Sequence, residues 1–167
     1  GGGGKAVRKR SGFDIIDFAK YGMIVIIIAY VVFLLMREGG DAPLETVEKN
    51  VLEAVSTEGM EKAGTQDIKR DYGLNPEDYR GVALYLPDDV MGVNEVLIVR
   101  LADEAQEEPV TEAAQKRLDT QKESFEGYGV EQTKLLSDAV LESKGDYVIL
   151  IVSGKAQAGD EAFKKSL

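Results

Sequence analysis

The sequence predicts an α+β protein: an N-terminal transmembrane helix, then a four-stranded antiparallel sheet with helices packed on one face, in the order α-ββ-α-ββ-α. Three observations predict it. An uncharged apolar run lies near the N-terminus between Lys20 and Arg37. Beyond it, apolar residues recur at helical spacing in separated stretches. Between and after these stretches, short runs rich in Val, Ile, Leu and Tyr come in pairs set off by turn residues.

The apolar run, Tyr21 to Met36, reads YGMIVIIIAYVVFLLM. At a rise of 1.5 Å per residue it is roughly 24 Å long, a little short of the roughly 30 Å hydrocarbon core of a bilayer. Phe18 and Ala19 extend it, and Lys20 and Arg37 can snorkel to the headgroups. A buried core helix is disfavoured because no polar face is left for solvent. A cleaved signal peptide is the stronger rival, but no small-x-small cleavage pattern follows directly.

Lys5, Arg8, Lys9, Arg10 and Lys20 precede the run, against Asp14 and Asp17. The positive-inside rule then puts the N-terminus in the cytoplasm. The expected organisation is a cytoplasmic basic tail over 1–20, a transmembrane helix over 21–37, a linker over 38–43 and an extracytoplasmic α+β domain over 44–167. Gly1 to Gly4 read as a tag remnant and are set aside. The expected location is the cell membrane, single-pass, with the bilayer as partner through Tyr21–Met36 and the C-terminal domain outside.

Composition narrows the chemistry. The chain has no Cys, no His and no Trp. No disulfide framework, thiolate nucleophile, imidazole base or imidazole metal ligand is available. Serine–histidine and cysteine–histidine nucleophile pairs are therefore excluded. No lipidated cysteine supplies an anchor, and no cofactor is expected. From Glu38 onward 28 acidic residues face 14 basic ones, a net charge of −14. Such a domain is not expected to bind nucleic acid or an anionic membrane surface.

Within the domain, Pro43 to about Glu58 reads as an amphipathic helix through Leu44, Val47, Val51, Leu52 and Val55, with Pro43 in its first turn. A weaker helical stretch holding Met60, Ala63 and Ile68 follows. Asn75-Pro76 is a cap-like turn. Tyr79–Leu86 and Glu95–Leu101 read as strands of a long-looped hairpin, the second apolar on both faces save at Arg100. Pro109–Phe125 is a helix with Val110, Ala114, Leu118 and Phe125 inward, broken at Gly127-Tyr128-Gly129. Val130–Ser137 is another. Ala139–Glu142 and Tyr147–Val152 flank a tight turn over Ser143–Asp146, with the second strand central in the sheet. Asp160 is expected to cap a last helix that buries Ala162, Phe163 and Leu167.

The stretches RDYGLNPEDYRGVALYLPDDVMGVNEVLIVRL, RLDTQKESFEGYGVEQTKLL and GDYVILIVS resemble the bacterial domain of unknown function 4358 family over Leu44 to Leu167. Its landmarks here are Arg117, Gln121, Phe125, Tyr128, Gly145 and Tyr147. The resemblance implies an envelope location, as in membrane-tethered proteins and lipoproteins of Firmicutes, and supplies no activity. This chain departs from the lipoprotein members in lacking the lipidated cysteine.

Three sets of residues invite chemistry. Arg117 and Gln121, at i and i+4, with Tyr128 just past the helix end, are candidates for gripping a carboxylate or peptide backbone. The plainer reading, which is favoured, has them tie the helix to Glu126 or the sheet while Tyr128 fills the corner. Asp88, Asp89, Asn94 and Glu95 gather oxygen ligands, but no calcium-loop spacing connects them, and no metal site is assigned. Ser153-Gly154-Lys155 lacks the rest of a phosphate loop and reads as a turn. The expected function is a non-enzymatic extracytoplasmic module that binds an envelope protein or peptide. The alternative is a small-ligand sensor or carboxylate-dependent hydrolase.

Overall fold

A computed structural model describes residues 16–32 and 42–167. The chain divides into two units at Gly39/Gly40. In the first, residues 16–32 form one helix, α1, with Phe18, Tyr21, Met23 and Ile26 among its exposed side chains. No helix among the described residues is long and apolar enough to cross a membrane. Over residues 16–32 α1 is about 25 Å long at 1.5 Å per residue, short of the roughly 30 Å hydrocarbon core. The expected transmembrane helix, 21–37, runs on into residues outside the described set.

The second unit is an α+β domain built on one antiparallel sheet of five strands, in the order β1-β2-β3-β5-β4. The strands are β1 (Met60–Lys62), β2 (Gly81–Pro87), β3 (Glu95–Arg100), β4 (Val140–Lys144) and β5 (Tyr147–Val152). The helices are α2 (Leu44–Val55), α3 (Thr65–Tyr72), α4 (Glu107–Phe125), α5 (Val130–Ser137) and α6 (Ala156–Ser166). Both expected hairpins form: Val82 pairs with Val99 across β2 and β3, and Leu141 with Leu150 across β4 and β5. The second turns tightly through Gly145, whose φ of 60° lies in the region glycine adopts without a Cβ clash.

Three expectations are corrected. The sheet has five strands, not four, because Met60–Lys62 pairs with β2 as an edge strand instead of joining a helix. A three-residue strand with mostly exposed side chains carries no alternation that a sequence pattern can register. Helices cover both faces, not one. Every residue of β5, and all of β3 but Arg100, is buried. A strand buried on both sides needs a layer on each.

On one face Leu84, Leu97, Val99, Val148 and Leu150 pack under Ile68 of α3, Val110, Ala114 and Leu118 of α4, and Leu136 of α5. On the other, Ala83, Val96, Ile98, Ile149 and Ile151 pack under Val47, Val51 and Val55 of α2 and under Phe163 of α6. Third, Asp160 does not cap the last helix. That helix begins four residues earlier, at Ala156, and Asp160 is buried inside it.

Other local expectations stand. Asn75 accepts a hydrogen bond from the Glu77 backbone N–H at 3.2 Å, with Pro76 opening a short 3₁₀ turn. Ser153 is a turn residue, its Oγ accepting from the Lys155 N–H at 3.0 Å.

Candidate functional site

Arg117 lies on α4 beside the buried Ala114–Leu118 stripe, and its side chain is 16% exposed. It reaches the first residue of β3. Nε donates to Glu95 Oε2 at 3.1 Å and Nη2 to Glu95 Oε1 at 2.8 Å, a two-pronged pairing. Nη1 stands 3.7 Å from Asp71 Oδ1. Glu95 is 3% exposed and also accepts from the Tyr72 hydroxyl. The guanidinium carbon sits 6.0 Å from the Tyr72 ring centroid, within cation–π range.

Burial alone would lower the Arg117 pKa. Its hydrogen bonds to Glu95 and the charges of Glu95 and Asp71 outweigh burial and raise it. Burial, then the Glu95 carboxylate, pushes the Tyr72 hydroxyl well above its ordinary range. These contacts occupy the guanidinium from inside the fold, pinning α3 and α4 to the end of β3.

The opposite face repeats the device with lysine. Glu48 of α2, itself buried, accepts from the Tyr85 hydroxyl of β2 and from Lys62 Nζ of β1 at 2.9 Å. Lys62 Nζ lies 5.9 Å from the Tyr85 ring centroid. Burial, then the hydrogen bond to Glu48, raises the Tyr85 pKa. In each triad one carboxylate joins a helix to the sheet and serves both a phenol and a cation.

A third cluster is less complete. Glu142 of β4 and Asp160 of α6 share Lys164, whose Nζ is 3.2 Å from Glu142 Oε1 and 3.1 Å from Asp160 Oδ2. Glu142 Oε2 and Asp160 Oδ1 are buried and unpartnered. The neighbouring Asp160 carboxyl, then burial, raises the Glu142 pKa, opposed by Lys164. A proton held between two carboxyls satisfies both oxygens.

The structure brings only Arg117 of the three candidate residues into the Glu95 cluster. Gln121 is half-buried one turn on and takes no part in it. Tyr128 does not fill the corner: it is 65% exposed, its ring 5.8 Å from that of Phe125. Nor do Asp88, Asp89, Asn94 and Glu95 converge. Glu95 faces Arg117, and Asp89 Oδ1 accepts from the Met91 N–H at 3.0 Å. No group of three metal-ligating side chains exists among the described residues.

What lies open is apolar. Tyr128 and Val130, the latter 83% exposed, stand at the α4–α5 corner. Val90, 95% exposed, and Met91 stand on the β2–β3 loop. Gln132 Nε2 donates to the Met91 carbonyl at 3.2 Å, joining the corner to the loop. Both turns are tightly built. A Cβ at Gly92 would lie 2.6 Å from Pro87 Cβ, and one at Gly129 would lie 2.9 Å from Phe125 Cδ1.

The sequence reading missed the two tyrosine–carboxylate triads and the Glu142–Asp160 pair. One signal was available. Glu95 shares a face with Leu97, Val99 and Leu101, and a charge on a buried face requires a partner.

A five-stranded antiparallel sheet between two helical layers, its buried Glu48 and Glu95 paired with cations within the fold, defines a two-faced α+β domain. The chain belongs to the family described as Domain of unknown function (DUF4358), whose sequence pattern matches residues 53–153. That match takes in all five strands and α3 to α5, and stops short of α6. No curated protein and no solved structure matches the chain.

Proposed function

We propose that this chain is a single-pass, membrane-anchored module that holds its α+β domain outside the cell and binds an envelope protein or peptide, without catalysing a reaction. The tether rests on the uncharged run Tyr21–Met36, bracketed by Lys20 and Arg37 and preceded by a basic tail. Binding rests on one observation: the exposed apolar corner of Val90, Met91, Tyr128 and Val130, held on two hydrogen-bonded turns. Apolar side chains grouped on an otherwise charged surface favour contact with another molecule. The non-enzymatic reading is supported by the Arg117 and Lys62 clusters, whose charged groups are engaged with one another.

The absence of cysteine makes the test clean. Lys134 is exposed one helical turn beyond Val130. In intact cells, Lys134→Cys should react with a membrane-impermeant maleimide and, with a thiol-linked photocrosslinker, give a discrete adduct with an envelope protein. Lack of labelling before lysis refutes the topology. Labelling without any adduct refutes the binding role.

A further inference from the structure

We infer that the apolar corner takes a cationic polypeptide segment, one in which lysine or arginine flanks an aromatic or aliphatic side chain. This inference rests on the binding role proposed above and names the chemistry of its partner. The apolar contacts are Val90, Met91, Tyr128 and Val130. Around them, on the same two turns, stand the exposed carboxylates Asp88, Asp89, Glu126 and Glu131. The nearby cations in sequence are Lys122 and Lys134 on the flanking helices, so the rim is acidic on balance.

The unit from Gly40 onward carries 27 acidic and 14 basic residues, a net −13. Like charge opposes a second copy docking here, and it opposes an anionic bilayer. A cationic segment meets complementary charge at the rim while it buries its apolar residue at the centre, the usual layout of a recognition patch. The close packing at Gly92 and Gly129 and the Gln132–Met91 hydrogen bond hold both turns in place. Less conformational entropy is then lost when a partner docks.

The test uses the full chain in mild detergent and two fluorescent synthetic peptides with identical leucine and tyrosine positions, one spaced by lysine and the other by glutamate. Fluorescence anisotropy at low salt should show the lysine peptide binding about tenfold or more tighter, as a few rim ion pairs would give. Val130→Asp should abolish that binding. This substitution sits on an exposed first helical residue, where an acid suits the helix dipole, so the fold is retained. Asp88→Asn with Glu131→Gln should weaken binding several-fold, and Glu108→Gln, on the first turn of α4, should not.

Equal affinity for both peptides overturns the inference. So does lysine-peptide binding that survives Val130→Asp, which would mark adsorption to an acidic surface. Failure of the inference is distinct from failure of the binding role. A cellular adduct at Lys134→Cys made through an acidic segment keeps the role and discards the cationic partner. Absence of any adduct discards the role whatever the peptides do.

Discussion

Replacing Arg117 with methionine tests whether its pairing with Glu95 is architecture. Methionine keeps an unbranched apolar stem and removes the guanidinium. Glu95, 3% exposed, then loses both charge-assisted bonds and retains the Tyr72 hydroxyl. Breaking a buried ion pair from one side costs about 3–5 kcal/mol, because the other charge is left desolvated. Arg117 is itself 16% exposed, so water can enter the gap and the lower end of that range applies, about 3 kcal/mol. For a domain of this size the melting temperature should fall by on the order of 10 °C.

The decisive control is Tyr72→Phe, Glu95→Leu and Arg117→Met together. With Tyr72, Glu95 and Arg117 replaced at once, no buried charge of the cluster is left unsatisfied, because Asp71 keeps Arg70 at 3.1 Å, and stability should return to near the parent value. Far-ultraviolet circular dichroism through thermal and urea unfolding reads all of this without a tryptophan. A fall of less than about 3 °C for Arg117→Met refutes the structural role. So does a triple variant no more stable than the single one.

Phe163 is fully buried with its ring edge-on to Tyr147, so Phe163→Ala should cost about 3–5 kcal/mol by urea unfolding. A loss below about 1 kcal/mol would contradict a second core beneath α2 and α6. Gly159→Ala, a change that ordinarily stabilises a helix by about 1 kcal/mol, should here destabilise by about 1–3 kcal/mol through overpacking. The added Cβ would lie 2.5 Å from Val55 Cγ1 and 2.9 Å from Ile151 Cδ1, on two buried branched side chains. Glu142 has its pKa raised, so the fold holds a proton there that the unfolded chain has released, and its contribution to stability fades as pH rises above about 4.5. Glu142→Gln keeps a donor toward Asp160 but cannot titrate. Its stability relative to the parent should therefore increase with pH, and a pH-independent difference would refute the shared proton.

The sequence pattern gave away the α+β class, both hairpins and the helices α2, α4 and α5, because each carries a strong period or sits between turn residues. What it concealed has a common physical origin. Edge strand β1 and the two-sided burial of the sheet depend on pairings between segments far apart in the chain. A run such as YVILIV says that both faces of a strand are covered but not by which elements. Asp160 looked like a helix cap because acids open helices. Asp160 meets Glu142 of β4, on which α6 packs, and no local signal records that.

The same limit governed the candidate site. Arg117 was legible as a charge beside an apolar stripe, and Glu95 as a charge on an apolar face. Only the register of β3 against α4 shows that each satisfies the other. A lone charge on a buried face thus predicts that a partner exists, and the fold supplies its identity. Exposed apolar residues in turns behave in the opposite way. Val90 and Tyr128 occupy turns and Val130 opens α5, in sequence that reads as ordinary connections, and their exposure becomes visible only in the structure. In this domain Arg117 and Glu95 are engaged with each other within the fold, while Val90, Met91, Tyr128 and Val130 stand uncovered beside exposed carboxylates. A search for its role is therefore better aimed at the β2–β3 loop and the α4–α5 corner than at Arg117.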